Sequence, residues 1–158
     1  MQRPELWDDH RTRPDSAAGG RTAPAPARPR TVVLGYDGSA AARTAAFRAA
    51  EAAGRGGRVL IITAVPSPDT SEFEWESAGD PQQLLREATA LLRNHRVEIA
   101  TRLEEGHPAD ALVAAACGAG ADLIVVGARG RSFLARALRG SVAERLITRA
   151  SCSVLVAR

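Results

Sequence analysis

The sequence contains no lysine. All 21 of its basic residues are arginine, which excludes any nucleotide loop that needs a lysine ammonium over the phosphates. Cysteine is almost as scarce. Cys117 and Cys152 are too few for a disulfide framework and lack metal-ligand spacing, so each is expected to pack as a small apolar side chain. Aromatic residues make up 4% of the chain, and the arginines run along its whole length instead of forming one stripe with interleaved aromatics. A nucleic-acid partner is therefore not expected. The net charge of +3, beside abundant Ala, Gly and Pro, reads as a basic solvated surface. No apolar run approaches the roughly 18–20 residues of a membrane helix, and none follows the early arginines as in a signal peptide. The cytoplasm is the default compartment, with no membrane partner.

What is present is one domain's worth of chain, 158 residues. Residues 1–30 are mixed in charge, rich in Pro, Arg, Gly and Ala, and without hydrophobic period. Such a segment cannot bury enough apolar surface to offset its ordering entropy, and a flexible tail is expected. Glu5, Asp8, Asp9 and Asp15 make it too acidic for a transit peptide. The domain is expected over 31–158.

From Thr31 the chain alternates short apolar runs with longer amphipathic ones. Strands are expected at "TVVLGY" (31–36), "RVLIITAV" (58–65), "RVEIATRL" (96–103), "ADLIVVG" (121–127) and "CSVLVAR" (152–158). The third alternates Val97, Ile99, Thr101 and Leu103 on one face and reads as half-covered. Between them, Ser39 caps a helix faced by Ala42, Ala45, Ala46, Ala49 and Ala53 and ended by Gly54. Pro81 starts a second, with Leu84, Leu85, Ala88, Leu91 and Leu92 at helical spacing. A third opens at His107-Pro108 and a fourth at Ser141. Residues 66–80, with five acids and no base, read as a loop. The order βαβαβαβαβ implies a parallel sheet with helices on both faces, a three-layer α/β/α sandwich with right-handed crossovers. In such sheets ligands sit beyond the carboxyl ends of the strands, where strand order reverses. That directs attention to "GYDGS" and "GARG", and so to Gly35, Tyr36, Asp37 and Gly127.

The glycines match neither common nucleotide loop. The Walker loop requires the missing lysine, and the G-x-G-x-x-G of a dinucleotide fold does not follow the first strand. The spacing is Gly127-x2-Gly130-x9-Gly140-Ser141. Gly127 and Gly130 would let the backbone turn at positive φ and approach a bound group. Ser132 to Leu138 would form a short helical arm, and Gly140 would end it. The amides at 141–143, with the helix dipole, would make an anion site, and Arg129 and Arg131 would add charge at its rim. Asp37 would repel phosphate and suits the sugar or base end of a nucleotide. From spacing alone a plain turn with a helix cap is equally admissible.

The series "VVLGYDGSAAA", "ADLIVVGARG" and "RGSVAERLITRASCSVLVAR" resembles the universal stress protein family across 31–158. The G-2x-G-9x-G-[ST] motif of that family's ATP-binding members is matched at every defined position. The resemblance implies a Rossmann-like five-stranded parallel sheet of order 3-2-1-4-5 and ATP as ligand, with Mg²⁺ as its accompanying ion. It also implies that Asp37 contacts the adenosine portion and that the Val65 backbone meets adenine. Gly127 and Gly130 would lie beside the ribose and phosphates, while Gly140, Ser141 and Val142 would hold the phosphates through amides. Val126 matches the residue before the first glycine, and Arg129 a variable position. Many relatives dimerise through the last strand, so a homodimer through "SVLVAR" is expected, an apolar terminal strand at a sheet edge otherwise exposing unpaired backbone.

Three function classes follow. The first is an ATP-binding regulatory module in stress response, with an unknown protein partner. The second is a slow ATPase, for which no second carboxylate or arranged His stands near the glycine loop. His10 falls in the tail, His95 in a turn, His107 at a helix start, and Asp122 at the opposite end of the fourth strand. The third is a nucleotide-independent dimeric interaction protein, and a cyclic AMP binder is a variant of the first.

Overall fold

A computed structural model describes residues 30–65, 67, 80–128 and 142–158. Residues 1–29 of the expected tail, residues 66 and 68–79 of the expected loop, and the arm with Arg129, Gly130, Gly140 and Ser141 lie outside the described residues.

The elements run in the expected order: β1 (Thr31–Gly35), α1 (Ala40–Ala53), β2 (Arg58–Val65), α2 (Pro81–Leu92), β3 (Glu98–Glu105), α3 (Pro108–Ala119), β4 (Leu123–Gly127), α4 (Val142–Arg149) and β5 (Ser153–Ala157). The five strands form one parallel sheet of order β3-β2-β1-β4-β5, so strand order reverses between β1 and β4. Alternate residues of each strand point to opposite faces. Val32, Leu34 and Tyr36 join a core with α1 and α2, while Val33, Ile124 and Val126 join one with α3 and α4.

Local sequence accounts for the helix limits. The Ser39 hydroxyl accepts from the Ala42 N–H at 3.1 Å, and Gly54 closes α1 at φ 69°. The alanines of α1 lie flat on the sheet, all six of its inward ones buried. Asp80 caps α2 ahead of Pro81, and left-handed Gly120 ends α3. At the amino ends of β1 and β4, Thr31 and Asp122 exchange bonds of 2.9 Å, the Thr31 N–H donating to the Asp122 carboxylate and the Asp122 N–H to the Thr31 carbonyl. Asp122 is thus a strand-start clamp.

β3 departs from expectation. It begins two residues later than the pattern suggested, and past the half-buried Ile99 the alternating Thr101 and Leu103 are exposed, Leu103 by 40%. The reason is length. Twelve helical residues of α2 span about 18 Å, whereas eight strand residues of β3 span about 26 Å, so α2 cannot cover this edge strand from end to end. The arginines are also less scattered than in sequence. Exposed Arg30, Arg55, Arg58, Arg93 and Arg96 gather at the amino-terminal edge of the sheet, where Arg58 N–H reaches the Arg30 carbonyl and Gly56 N–H the Arg96 carbonyl.

His107 caps α3, its Nδ1 accepting from the Ala109 N–H at 3.1 Å. Acceptance requires the neutral ring. Burial, then the charges of Arg145 and Arg149 set against that of Asp110, hold the His107 pKa below its ordinary 6.5. Arg149 in the last turn of α4 bonds Asp110 in the first turn of α3, each charge also suiting its own helix dipole. Because the folded pKa lies below the unfolded one, this contribution to stability is complete above pH 6.5 and is lost as pH falls through the folded pKa. Asparagine can cap without titrating. The thermal midpoint of the wild type should therefore fall more between pH 7.5 and 5.5 than that of His107→Asn, while His107→Ala should cost about 1 kcal/mol at pH 7.5. Calorimetry across that range checks it, and parallel pH profiles for wild type and His107→Asn would refute it.

Candidate functional site

The carboxyl ends of β2, β1 and β4 meet where strand order reverses. Extending the β1–β4 register, in which Leu34 pairs with Val125, sets Tyr36 level with Gly127. Extending the β1–β2 register, in which Gly35 pairs with Ile62, sets Asp37 level with Ala64. Asp37 is half-buried in the turn between β1 and α1. Its Oδ1 accepts from the Ser39 N–H at 3.0 Å, and Gly38 follows at φ 77°, a left-handed conformation that glycine adopts without steric cost. A carboxylate, a buried glycine and a helix cap thus form one tight turn over the sheet.

Gly127 ends β4 for a different reason from the one its motif suggested. Its φ is not in the left-handed region. A Cβ there would lie 2.7 Å from the Ala41 carbonyl carbon and 2.8 Å from the Ala42 nitrogen. Those backbone atoms cannot yield, so Gly127 lets the first turn of α1 sit directly on the end of β4. Gly35 is close-packed on the other face, where a Cβ would meet the side-chain tips Leu112 Cδ1 at 2.9 Å and Val126 Cγ1 at 3.1 Å, which can shift where backbone cannot. Of the two strand-end glycines, Gly127 is the one that seats a helix against backbone.

Tyr36 sends its side chain away from the turn, into the α1/α2 core, where only 3% of the residue is exposed. The hydroxyl donates to Glu87 Oε1 of α2 at 2.7 Å, and Arg43 Nε of α1 donates to the same oxygen at 2.7 Å. Burial first, then the hydrogen bond to Glu87 and its charge, push the Tyr36 pKa up to about 12 against the opposing effect of Arg43. The phenol therefore stays a donor at physiological pH. Val126 is buried on the α3/α4 face, and Val142, the first residue of α4, packs against that same core.

The predicted residues Gly35, Tyr36, Asp37 and Gly127 thus come together at one end of the sheet, with Val65 at the end of the adjacent strand. The direction of the Val65 backbone differs from expectation. The Val65 carbonyl accepts from Gly106 N–H at 2.9 Å, on the β3 side, whereas the Ile62 carbonyl accepts from Tyr36 N–H, on the β1 side. Backbone groups alternate sides along a strand, so it is Ala64 whose N–H and C=O face the turn of Asp37. Sequence reading also passed over Thr63. It is buried, and its hydroxyl donates to the Tyr36 carbonyl at 3.0 Å; a lone threonine in an otherwise apolar strand was the available signal. Gly38, next to Asp37, was legible as a turn glycine. Glu87 carried no local signal, because α2 approaches β1 only in three dimensions. Among the described residues no group of three His, Cys, Asp or Glu side chains is placed to hold a metal ion, and no helix is long and apolar enough to cross a membrane.

Comparison with known proteins shows which family has this fold. A universal stress protein of Thermus aquaticus is 37% identical over 137 residues, covering 82% of this chain and 98% of that protein. The crystal structure of a universal stress protein in complex with cAMP superposes with a TM-score of 0.66 at 32% identity, covering 82% of this chain and 97% of that one. The universal stress protein of Archaeoglobus fulgidus in complex with dAMP superposes with a TM-score of 0.64 at 27% identity, again over 82% and 97%. The profile of the Universal stress protein family matches residues 29–158. With these matches and the 3-2-1-4-5 sheet, the chain belongs to the universal stress protein family.

Proposed function

We propose that this chain binds an adenine nucleotide across the carboxyl ends of β2, β1 and β4, and that the nucleotide is ATP serving a regulatory role. The observation that carries the reading is the Asp37 turn standing beside Gly127 at the point of strand reversal, with Tyr36 level with Gly127, in a chain whose sequence continues Gly130-x9-Gly140-Ser141. An ionised carboxylate accepts at about four lone-pair sites, so Asp37 can accept from the adenosine portion while keeping its bond to the Ser39 N–H. The Ala64 backbone supplies a donor and an acceptor for the base. Gly127 and Gly130 keep the strand end free of side chains beside the ribose and phosphates. The amides of Gly140, Ser141 and Val142 hold the phosphates at the start of α4, with Arg129 at the rim. The negative charge of ATP would be shared with Mg²⁺, which the phosphates themselves ligate.

Cyclic AMP is the second reading, favoured by the 32%-identical relative whose structure holds it. The two differ in what the α4 amides must accommodate, an extended triphosphate or one cyclic phosphate. Slow hydrolysis would need a positioned water and a base. In this reading the chain offers mainly backbone donors, which favour binding.

The sheet's exposed edge supports a homodimer. Leu155 on β5 is 38% exposed and Ile147 on α4 is 67% exposed. The Ala157 carbonyl accepts from Ala128 N–H on the β4 side, so by alternation Val154 and Val156 direct their backbone groups outward, ready to pair with a second β5.

Two measurements test these readings. Denaturing the purified protein should release ATP from the wild type and little from Asp37→Ala or Gly140→Ala, with ATP affinity about ten- to a hundredfold weaker for Asp37→Ala. Absence of nucleotide together with ATP affinity no tighter than about millimolar would overturn the reading. Displacement of ATP by far lower concentrations of cyclic AMP would select the second one, and multiple-turnover phosphate release lost in Asp37→Ala would make the protein a hydrolase. By light scattering, the wild type should have a dimer's mass, and Val154→Pro, which removes one outward N–H, should have a monomer's. A Val154→Pro dimer would exclude pairing through β5.

A further inference from the structure

The Tyr36–Glu87–Arg43 cluster lies behind the candidate site, yet the nucleotide reading makes no use of it. Tyr36 is the residue on which the Asp37 turn hangs, and it is held at every polar atom. Its N–H donates to the Ile62 carbonyl at 2.9 Å, its carbonyl accepts from the Thr63 hydroxyl at 3.0 Å, and its phenol donates to Glu87 at 2.7 Å. On the other side of Asp37, the turn is tied to the α1 cap by the Ser39 N–H. One oxygen of Glu87 therefore receives a donor from the strand that leads into the turn and another, from Arg43, from the helix that leads out of it.

We propose that Glu87 is a positioning residue for the nucleotide's adenosine end, fixing the Asp37 turn through Tyr36 on the strand side and Arg43 on the helix side. The proposal rests on the nucleotide reading above and deepens it by assigning a residue of α2 to that site.

The chemistry supports a positioning role over generic packing. Two donors converging on one carboxylate oxygen fix direction as well as distance, since each bond weakens steeply off its preferred angle. Glu87 is one-third exposed and Arg43 half exposed, so the pair gains little stability from its charges alone. Tyr36, in contrast, is buried and has a single phenolic proton to give, which burial and Glu87 keep in place. The phenol is the one member whose loss leaves the core volume almost unchanged. Phenylalanine at 36 fills the same space and keeps the backbone bonds to β2 but removes the bond from the end of β1 to Glu87 of α2. The proposed phosphate end lies at the start of α4, beyond the end of β4, whereas Tyr36, Arg43 and Glu87 stand at the end of β1, on α1 and on α2.

That asymmetry supplies the test. Affinities of adenosine and of inorganic tripolyphosphate are measured on the full-length wild type, Tyr36→Phe, Glu87→Ala, Glu87→Gln and the Tyr36→Phe/Glu87→Ala double variant, with thermal midpoints recorded alongside. Adenosine binding should weaken about tenfold in Tyr36→Phe and in Glu87→Ala. The double variant should be no weaker than Glu87→Ala alone, because removing the carboxylate already breaks the bond to the Tyr36 phenol. Glu87→Gln keeps a carbonyl acceptor and should recover most of the loss. Tripolyphosphate binding should stay within about twofold of the wild type throughout. A Tyr36→Phe variant that binds adenosine as the wild type does overturns the positioning role and leaves the nucleotide reading intact. An equal fall for both probes, or additive losses in the double variant, overturns it in favour of general destabilisation. Wild-type protein that binds neither probe nor ATP overturns the nucleotide reading, and this role with it.

Discussion

The contact on which this architecture depends is the seating of α1 on the end of β4. The peptide joining Ala41 to Ala42 lies so near Gly127 that no Cβ fits between them. Everything at the carboxyl end of the sheet inherits its position from that contact. It fixes the height of the first helical turn, hence of Ser39, hence of the Asp37 carboxylate that Ser39 holds. The same closeness explains the alanine face of α1. Larger side chains at Ala42, Ala45, Ala46 and Ala49 would lift the helix from the sheet, and all four are buried. A small-residue helix contributes less hydrophobic area than a leucine-rich one, and α2, with buried Leu84, Leu85 and Leu92, makes up the apolar volume of that layer.

Onto this apolar frame the molecule adds few buried polar groups, and they cluster. Thr63 is the one buried polar or charged residue among those described, and its hydroxyl goes to Tyr36. The Tyr36 phenol reaches Glu87, which also engages Arg43. Buried polar atoms cost free energy unless paired, and when paired they favour one arrangement over its neighbours. Their concentration behind Asp37, together with the seat of Gly127 in front, constrains the turn from both sides. An apolar contact sets its height, and directional bonds set its angle.

Much of the fold was legible in sequence because the signals were local. Ser39 and Gly54 bracket α1, Pro81 opens α2, the continuous β-branched run of β2 marks a strand covered on both faces, and the alternation of elements implies the parallel sheet. The misreadings share a cause. The pattern of Val97, Ile99, Thr101 and Leu103 was correct for a strand, but whether a helix covers its far end depends on relative lengths in space. Gly127 was read as a turn glycine, and its need for hydrogen in place of a side chain comes from a helix some eighty residues earlier in the chain. Glu87 had no readable role, since its partners lie on elements 44 and 51 residues away.

The difference between Val65 and Ala64 shows where strand reading has its natural limit. Apolar periodicity reports side chains, and side chains alternate between the two faces of the sheet. Backbone groups alternate too, but between the two neighbouring strands, a direction that leaves no trace in residue type. For a site lined by side chains the first alternation is enough. For one built from amides and carbonyls at strand ends the second decides which residue meets the ligand, and it is fixed only once the neighbour is known. Here the bond from Gly106 commits Val65 to β3, and the same parity turns Ala64 toward the Asp37 turn. Here a one-residue shift of this kind exchanges a group committed to β3 for one that faces the Asp37 turn.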